Sequence, residues 1–427
     1  MHVPARAELM LQQVLFGGNW DDGTNCRSRS ANCNNCPANR NGNNGARGLS
    51  DTRSFAKPRG WHLGHGRRNA AKKYKGRSGA STVRECPTTI MKRIGDLYRQ
   101  IIDKENIELA YQDAKKGKTW QRKVKRVGKR KEYYLDKLHE MLQTRTFRTS
   151  AYRTKKVYEP KERLIYILPF FPDRIVQHAI VNVLGPIWES CMIDDSYACR
   201  IGKGQHAGSK RCMQFTTKYH YALQCDISKF YPSIPHDRLK IILRKKIKCK
   251  DTLALLDEII DSQEGGKGVP IGNYLSQWFG NLYLNELDHM IKEKYHIHGY
   301  LRYCDDFVLF ANEKEKLNEM RPIIKQKCHE FGLRLSKMNL YPTKQGVDFL
   351  GYRHFHDGRL WVRKRTALRI RRRMRHVMPW LKDGKINPQR ALSIVASANG
   401  WLKHANSHKL RLAMELDAIE KEVRSYQ

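Results

Sequence analysis

Two adjacent carboxylates lie inside an otherwise apolar stretch, and this stretch limits the possible folds more than any other feature of the sequence. Asp305 and Asp306 are preceded by Leu-Arg-Tyr-Cys and followed by Phe-Val-Leu-Phe, over residues 301–310. Runs of aromatic and branched residues favour buried strands, so the pattern predicts a β-hairpin with an acidic turn. Two acids at a partly buried turn repel each other and lose hydration, and divalent cations would offset both effects. A solvated acidic turn is the alternative interpretation.

A third carboxylate, Asp226, follows a second apolar run. Residues 221–225 are Tyr-Ala-Leu-Gln-Cys, a pattern that predicts a strand ending at Asp226. Asp226 at a strand end and Asp305 at a hairpin turn would hold two Mg²⁺ ions about 4 Å apart, with Mn²⁺ as a substitute. One ion would activate a 3′-hydroxyl, and the other would stabilise a leaving pyrophosphate. Mg²⁺ suits such a site because it binds a few carboxylates together with substrate phosphates.

Four short motifs, in this order, resemble the palm motifs of reverse transcriptases. They are Asp226 with the aromatic pair at 230–231, Gly-Val-Pro-Ile-Gly at 268–272, Tyr-Cys-Asp-Asp at 303–306 and Phe-Leu-Gly-Tyr at 349–352. The resemblance implies an α+β right-hand polymerase with fingers, palm and thumb. It also implies RNA-templated addition of dNTPs to a 3′-hydroxyl.

The resemblance assigns expected roles to individual residues. The expected metal-binding and catalytic residues are Asp226, Ile227 through its backbone carbonyl, Asp305 and Asp306, with Lys337 as the proton donor to pyrophosphate. The expected dNTP-binding residues are Lys161, Arg163, Tyr231, Gly268, Pro270, Ile271, Gly272, Ser276 and Gln277. The expected primer grip is Phe349, Leu350, Gly351 and Tyr352. Tyr231 would exclude a 2′-hydroxyl, although a core aromatic fits the same position, and an exposed basic strand edge is the alternative for Lys161 and Arg163.

Two regions resemble one particular class, the reverse transcriptases of diversity-generating retroelements. Residues 271–277 read Ile-Gly-x-x-x-Ser-Gln, whereas intron-encoded and retron-type enzymes usually have Gln in place of Ile271 and Ser-Pro at 276–277. Residues 17–48 are Asn-rich and resemble the variable tail of C-type-lectin-fold proteins, so residues 1–55 are interpreted as a translated template repeat. This class implies adenine-mutagenised cDNA, a structured template RNA and a basic accessory variability protein that is a homopentamer. A group II intron-like or retron-type reverse transcriptase and a catalytically silent RNA-binding antiphage protein remain as alternatives.

The charge of the chain predicts a polyanionic partner. There are 81 Lys and Arg residues against 42 acids, which gives a formal net charge of +39. Nucleic acid is the expected partner, and a membrane surface is the rival. The expected RNA-binding residues are Lys123, Lys125, Arg126, Arg371 and Arg372, with solvated helix faces as the alternative. No apolar run is long enough to span a membrane and no signal-peptide pattern is present, so we expect a soluble cytoplasmic protein.

Composition and motif order divide the chain into five predicted regions. They are an Asn-rich extension (1–55), a basic linker (56–90), N-terminal helices and fingers (91–215), a palm (216–355) and a helical thumb (356–427). Cys26, Cys33 and Cys36 have a spacing that a zinc site could use, but the surrounding residues predict no strands to position them. The first 55 residues also lack apolar periodicity, so no independent core is expected there.

Overall fold

The computed structural model describes residues 93–158 and 162–426, together with two short paired strands, β1 (Trp20–Asp21) and β2 (Asn25–Cys26). Most of the Asn-rich extension, the basic linker and the candidate zinc ligands Cys33 and Cys36 lie outside these described residues. Lys161, one of the two predicted triphosphate contacts, also lies outside them.

Four helices precede the first long strands. They are α1 (Leu97–Ile102), α2 (Lys104–Lys115), α3 (Arg122–Lys129) and α4 (Lys131–Gln143). Helix α2 begins where the Asp103 carboxylate accepts a hydrogen bond from the Glu105 N–H at 2.8 Å. Its residues at helical spacing, from Ile107 to Ala114, are buried, because an amphipathic helix turns one apolar face to the core.

A β-hairpin and a buried helix follow. The hairpin pairs β3 (Arg153–Tyr158) with β4 (Glu162–Ile167), and it carries mostly exposed side chains. A short π-helical turn (Phe170–Arg174) leads into α5 (Ile175–Glu189). Because α5 is apolar on most of its circumference, it is buried on most sides and forms the centre of the main core.

The central part of the chain builds a four-stranded antiparallel sheet. Along the chain, this part consists of α6 (Gln205–Lys218), β5 (Tyr221–Ile227), α7 (Phe230–Ser233), α8 (His236–Arg244), α9 (Lys250–Asp261), α10 (Tyr274–His289), β6 (Gly299–Tyr303), β7 (Asp306–Ala311), α11 (Lys314–Glu330) and β8 (Leu335–Pro342). The strand order is β6-β7-β5-β8. Both faces of the sheet are covered, because alternate residues of β5 and β7 pack against α10 and α11 on one side and against α6 on the other.

A small three-stranded sheet connects this unit to a helical bundle. A 3₁₀ turn (Thr343–Gln345) precedes β9 (Val347–Phe349), β10 (Tyr352–His354) and β11 (Leu360–Val362), which pair in the order β11-β10-β9. The bundle consists of α12 (Lys364–Lys382), α13 (Pro388–Lys403), α14 (His408–Leu412) and α15 (Leu416–Arg424), which share an apolar core. Among the described residues, no helix combines the length and the apolar character needed to cross a bilayer.

Candidate active site

The predicted acidic hairpin is formed by β6 and β7. Tyr303 pairs with Asp306, so the turn between the strands consists of Cys304 and Asp305. Cys304 has a φ of 55°, in the left-handed region that a tight turn requires. The local pattern of apolar residues around two acids therefore predicted this hairpin correctly.

The three predicted acids meet at one end of the sheet. Asp226, on the central strand β5, lies directly opposite Asp306 on β7. The Ile227 N–H donates to the Asp305 carbonyl at 3.3 Å, which holds the end of β5 against the hairpin turn. Paired residues of antiparallel strands have Cα atoms about 4.5–5.5 Å apart, so these carboxylates share one small region.

Burial and mutual repulsion perturb the pKa values of two of these acids. Burial raises the pKa of Asp305 to about 6, and the Asp226 carboxylate contributes to the rise. Burial also raises the pKa of Asp306 to about 7, against a hydrogen bond from Gln224 that lowers it. A nearby divalent cation would lower both values again, because it favours the ionised carboxylates.

The donor atoms suit a magnesium site that the substrate completes. Asp226, Asp305 and Asp306 lie at the same end of the sheet, but across the described residues no group of three His, Cys, Asp or Glu side chains is arranged to hold a metal ion by itself. Mg²⁺ is commonly held by one or two carboxylates plus substrate phosphates, and Asp226 and Asp305 offer that incomplete set. The Asp226 carboxylate also accepts a hydrogen bond from the Ser336 hydroxyl, which orients it from β8.

A polar network beneath the acids was not predicted from the sequence. Gln224 is buried on β5, and its Oε1 accepts from Lys337 Nζ at 2.7 Å and from the Tyr341 hydroxyl at 3.0 Å. Its amide donates to the Asp348 carbonyl at 2.8 Å and to Asp306 Oδ1 at 3.3 Å. The Lys337 ammonium is thus bound to Gln224, and its role as a proton donor to pyrophosphate stays a prediction.

A fully buried arginine supports the hairpin from behind, and sequence reasoning missed it. Arg302 and Asp288 are both inaccessible to solvent and form an ion pair with an N···O distance of 2.6 Å. The Arg302 guanidinium also donates to the Cys304 carbonyl at 3.0 Å and to Asn281 Oδ1 at 3.1 Å. The only available signal was one arginine within an apolar strand. Its partners lie on α10, so the sequence did not identify them.

The glycine-rich loop and Tyr231 border the acids. The Val269 N–H donates to the Tyr231 carbonyl at 2.9 Å, and the Tyr231 hydroxyl lies 3.7 Å from the Cys304 sulfur. Gly268 has a φ of 95°, and Ser276 donates to the Pro270 carbonyl at 2.8 Å. Tyr231 is therefore fixed between the loop and the acidic turn.

The same loop is attached to the β3–β4 hairpin. The Tyr166 N–H donates to the Ile271 carbonyl at 2.9 Å, and the Ile271 side chain packs against Ile165. A Cβ on Gly272 would lie 2.3 Å from the Tyr166 carbonyl oxygen, so only glycine fits there. The structure thus brings Ile271 into contact with the hairpin.

Two other predicted dNTP contacts, Gln277 and Arg163, lie on α10 and on the hairpin. Gln277 accepts a hydrogen bond from the Cys199 thiol. Arg163 is exposed on β4, and its charge acts to lower the pKa of Asp305.

Comparison with known proteins identifies this part of the chain. Residues 154–354 match the family model described as reverse transcriptase (RNA-dependent DNA polymerase), and this range contains all three acids. The chain contains a reverse transcriptase domain. The predicted α+β fold, the right-hand polymerase, is confirmed by this match together with the central sheet.

Similar proteins include members of the intron-encoded group. Protein YkfC of Escherichia coli (strain K12) is 27% identical over 255 residues, which are 47% of this chain and 66% of YkfC. Group II intron-encoded protein LtrA of Lactococcus lactis subsp. cremoris is 25% identical over 132 residues, 29% of this chain and 22% of LtrA. Among solved structures, telomerase from Candida albicans with a fragment of telomeric RNA has 10% identity and a TM-score of 0.42, with 66% of this chain and 58% of that chain covered. The chain thus spans less than two thirds of the length of these proteins.

At the end of the reverse transcriptase domain, the predicted primer grip is a turn between β9 and β10. Phe349 and Tyr352 are buried, and the Tyr352 hydroxyl donates to the Trp401 carbonyl at 3.1 Å. Gly351 has a φ of 83°, and a Cβ there would lie 2.6 Å from the Trp401 ring. Gln205 donates to the Leu350 carbonyl at 2.5 Å. Tyr352 therefore belongs to the core of the helical bundle, and contact of this turn with a primer stays a prediction.

The predicted RNA-binding residues lie on exposed helix faces. Helix α3 buries Val124 and Val127 and exposes Lys123, Lys125 and Arg126 on its remaining surface. Helix α12 likewise buries an apolar stripe that includes Ile370 and Met374 and exposes Arg371 and Arg372. Both surfaces are sterically available to a phosphate backbone, and RNA contact by these residues stays a prediction.

Proposed function

We propose that this protein is an RNA-directed DNA polymerase that adds dNTPs to a primer 3′-hydroxyl with the help of two Mg²⁺ ions. The observation that carries the proposal is the meeting of Asp226, Asp305 and Asp306 at the end of the central sheet, within a reverse transcriptase domain. The raised pKa values of Asp305 and Asp306 support it, since partly buried carboxylates that lie near one another favour a bound cation.

Different residues of the chain would position the metal ions, the sugar and the triphosphate. Bound Mg²⁺, or Mn²⁺ in its place, supplies Lewis-acid stabilisation of the attacking and leaving oxygens. Asp226 and Asp305, with the Ile227 carbonyl, would hold the ions. Tyr231 lies beside the acidic turn, where its ring would exclude a 2′-hydroxyl. Arg163 would bind the triphosphate of the incoming nucleotide.

We further propose that the template is the repeat RNA of a diversity-generating retroelement and that adenines are copied with errors. The support is the Ile-Gly-x-x-x-Ser-Gln sequence at 271–277 and the apolar contact between Ile271 and Ile165, which leaves no polar group at this loop position. A basic homopentameric accessory protein and the structured template RNA are the partners that belong to this proposal.

Substitution of Ile271 tests the template proposal. An amide at this position would restore a polar brace for the nucleotide, so Ile271→Gln is expected to lower misincorporation opposite template adenines. Sequencing of cDNA made from a defined RNA template measures the error at each base. Errors opposite the other three template bases serve as the internal control. Unchanged error at adenines would contradict the proposal.

A second candidate is a reverse transcriptase of the group II intron kind. The similarity to LtrA, a group II intron-encoded protein, favours it. Sequencing of RNA that co-purifies with the full chain separates the two, because a template repeat is expected in one case and an intron in the other.

Primer extension with purified full-length protein tests the polymerase proposal itself. We expect dNTP incorporation on a primed RNA, and we expect Asp305→Asn to reduce the rate at least about 10³-fold because a metal ligand is lost. Asp383→Asn, at an exposed carboxylate outside the reverse transcriptase domain, is the matched control. Absence of extension by the unaltered chain, with or without added RNA partners, would refute the activity and favour a silent RNA-binding antiphage protein.

A further inference from the structure

An exposed tryptophan lies on the edge strand of the small sheet, far in the sequence from the three acids. Trp361 on β11 is 45% exposed, although its neighbours Leu360 and Val362 pack against the helical bundle. Large aromatic side chains that are held in place and still exposed are typical of binding surfaces.

Guanidinium groups and aromatic rings alternate behind this indole. The Arg359 Cζ lies 5.3 Å from the Trp361 ring centroid and 5.3 Å from that of Phe355. The Phe355 and Trp361 rings meet edge to face at 4.7 Å, and Arg353 covers Phe355 at 5.4 Å. Asp357 fixes Arg359 through an ion pair at 2.6 Å. Arg359 and Phe355 thus pack against Trp361, while 45% of this residue remains exposed to solvent.

Trp361 lines a groove of about 740 Å³. The segment from the end of α13 to α14 also lines it, and this segment is fixed to β11 by two hydrogen bonds. Leu360 N–H donates to Asn406 Oδ1 at 2.7 Å, and Asn406 N–H donates to the Leu360 carbonyl at 2.8 Å. A rigid groove of this size falls within the range of about 300–1,000 Å³ that accommodates a small ligand or one nucleotide.

The groove is positively charged and therefore favours an anionic ligand. Lys403, Lys409 and Arg411 line it, and none of its described lining residues is acidic. Lys403 and Lys409 are exposed and form no ion pair with any described carboxylate, whereas Arg411 contacts Asp417 at 3.4 Å. Lysines beside an exposed aromatic ring are the combination that binds single-stranded nucleic acid, in which a base stacks and the phosphates meet the cations.

We propose that this groove is a second nucleic-acid site, which binds an unpaired segment of RNA outside the primer–template duplex and stacks one base on Trp361. A duplex hides the faces of its bases, so only an unpaired strand can use the indole. The groove lining includes none of the three acids, and it includes neither Leu350 nor Gly351, although Val362 of the groove pairs with Tyr352 next to that turn.

Fluorescence anisotropy with the full chain tests this site. The polymerase cleft is first saturated with an unlabelled RNA–DNA hairpin duplex, and a labelled single-stranded RNA of about ten nucleotides is then titrated. We expect the unaltered chain to bind this second RNA and Trp361→Ala to bind it about tenfold more weakly, which is the size of a typical stacking contribution. Trp361→Phe retains a ring and is expected to recover part of the affinity. Leu412→Ala, at an exposed side chain of α14 outside the groove lining, is the control that should bind normally.

The salt dependence of binding and the binding of alternative ligands show what occupies the groove. Lys409→Gln is expected to lower the slope of log affinity against log salt by about 0.7, because one phosphate contact is lost. Equal binding by Trp361→Ala and the unaltered chain would overturn the proposal. Tighter binding of a DNA strand of the same length would also overturn it and would assign the groove to DNA. Trp361-dependent binding of polyglutamate would overturn it as well and would assign the groove to an acidic protein. The measurement needs no DNA synthesis, so its failure and the failure of the polymerase proposal are distinguishable.

Discussion

Removal of the buried Arg302–Asp288 pair tests how the catalytic turn is held in place. Arg302 donates six hydrogen bonds, which go to Asp288, Asn281 and the Cys304 carbonyl. Arg302→Met would leave the buried Asp288 carboxylate with the Tyr300 hydroxyl, 2.6 Å away, as its one hydrogen-bond partner among the described residues. Loss of one partner of a buried pair costs about 3–5 kcal/mol, a large part of the roughly 5–15 kcal/mol that stabilises a typical domain.

The double variant Arg302→Met, Asp288→Leu separates stability from positioning. It removes both charges, so the free energy of unfolding should recover by half or more, since apolar replacements of buried pairs are often well tolerated. Activity should not recover, because the Cys304 carbonyl stays without its donor. A displacement of about 1 Å at a reacting group can lower the rate about 100-fold.

The assays are urea unfolding and single-nucleotide primer extension, both at a temperature at which all variants are folded. Arg424→Met, which removes an exposed pair with Glu420 at 2.9 Å, should cost less than about 1 kcal/mol and serves as the control. A double variant with an unaltered kcat would refute the positioning role of Arg302. A single variant that is as stable as the control would refute the ion-pair argument altogether.

Two further predictions follow from the acids and from the turn between β9 and β10. Asp305 and Asp306 have folded-state pKa values above those of unfolded carboxyls, so without metal their stabilising contribution is present at acid pH and is lost as the pH rises through about 6 to 7. Mg²⁺ should therefore raise Tm more at about pH 8 than at about pH 5, and an equal rise at both values would contradict the assignment of these acids as its ligands. Gly351→Ala adds a clash with Trp401 to a left-handed φ and should cost about 3 kcal/mol in urea unfolding. Gly358→Ala, with a φ of 84° and open space around it, should cost about 1 kcal/mol, and equal losses would show that the contact with Trp401 is unimportant.

The parts of the site that local sequence determines were predictable. The hairpin around Asp305 depends on apolar residues within a few positions of the turn, and the strand that ends at Asp226 depends on its own five-residue run. The fold class could be predicted as well, because motifs in a fixed order identified the palm.

Contacts between distant segments could not be predicted in the same way. Asp288 lies on α10 and Asn281 about two turns before it, so the partners of Arg302 follow from how that helix packs on the sheet. The Tyr352 side chain shows the same limit. Its membership of a primer grip stays a prediction, and the sequence did not show that its hydroxyl and ring contact Trp401 in the bundle core. Burial by tertiary packing overrides the local pattern in both cases.

The arrangement of charges links the buried supports to the chemistry. The three acids repel one another at the end of the sheet, and the fully buried cation Arg302 lies on β6 of the hairpin that carries Asp305 and Asp306. The Arg302 guanidinium is paired with the Asp288 carboxylate. It can therefore donate to the Cys304 carbonyl while the Asp305 carboxylate stays available to a metal ion. Lys337 is likewise bound to Gln224 beneath Asp306. Arg302 and Lys337 are therefore bound by other residues, and the carboxylates stay available for the divalent ions on which the proposed polymerase activity depends.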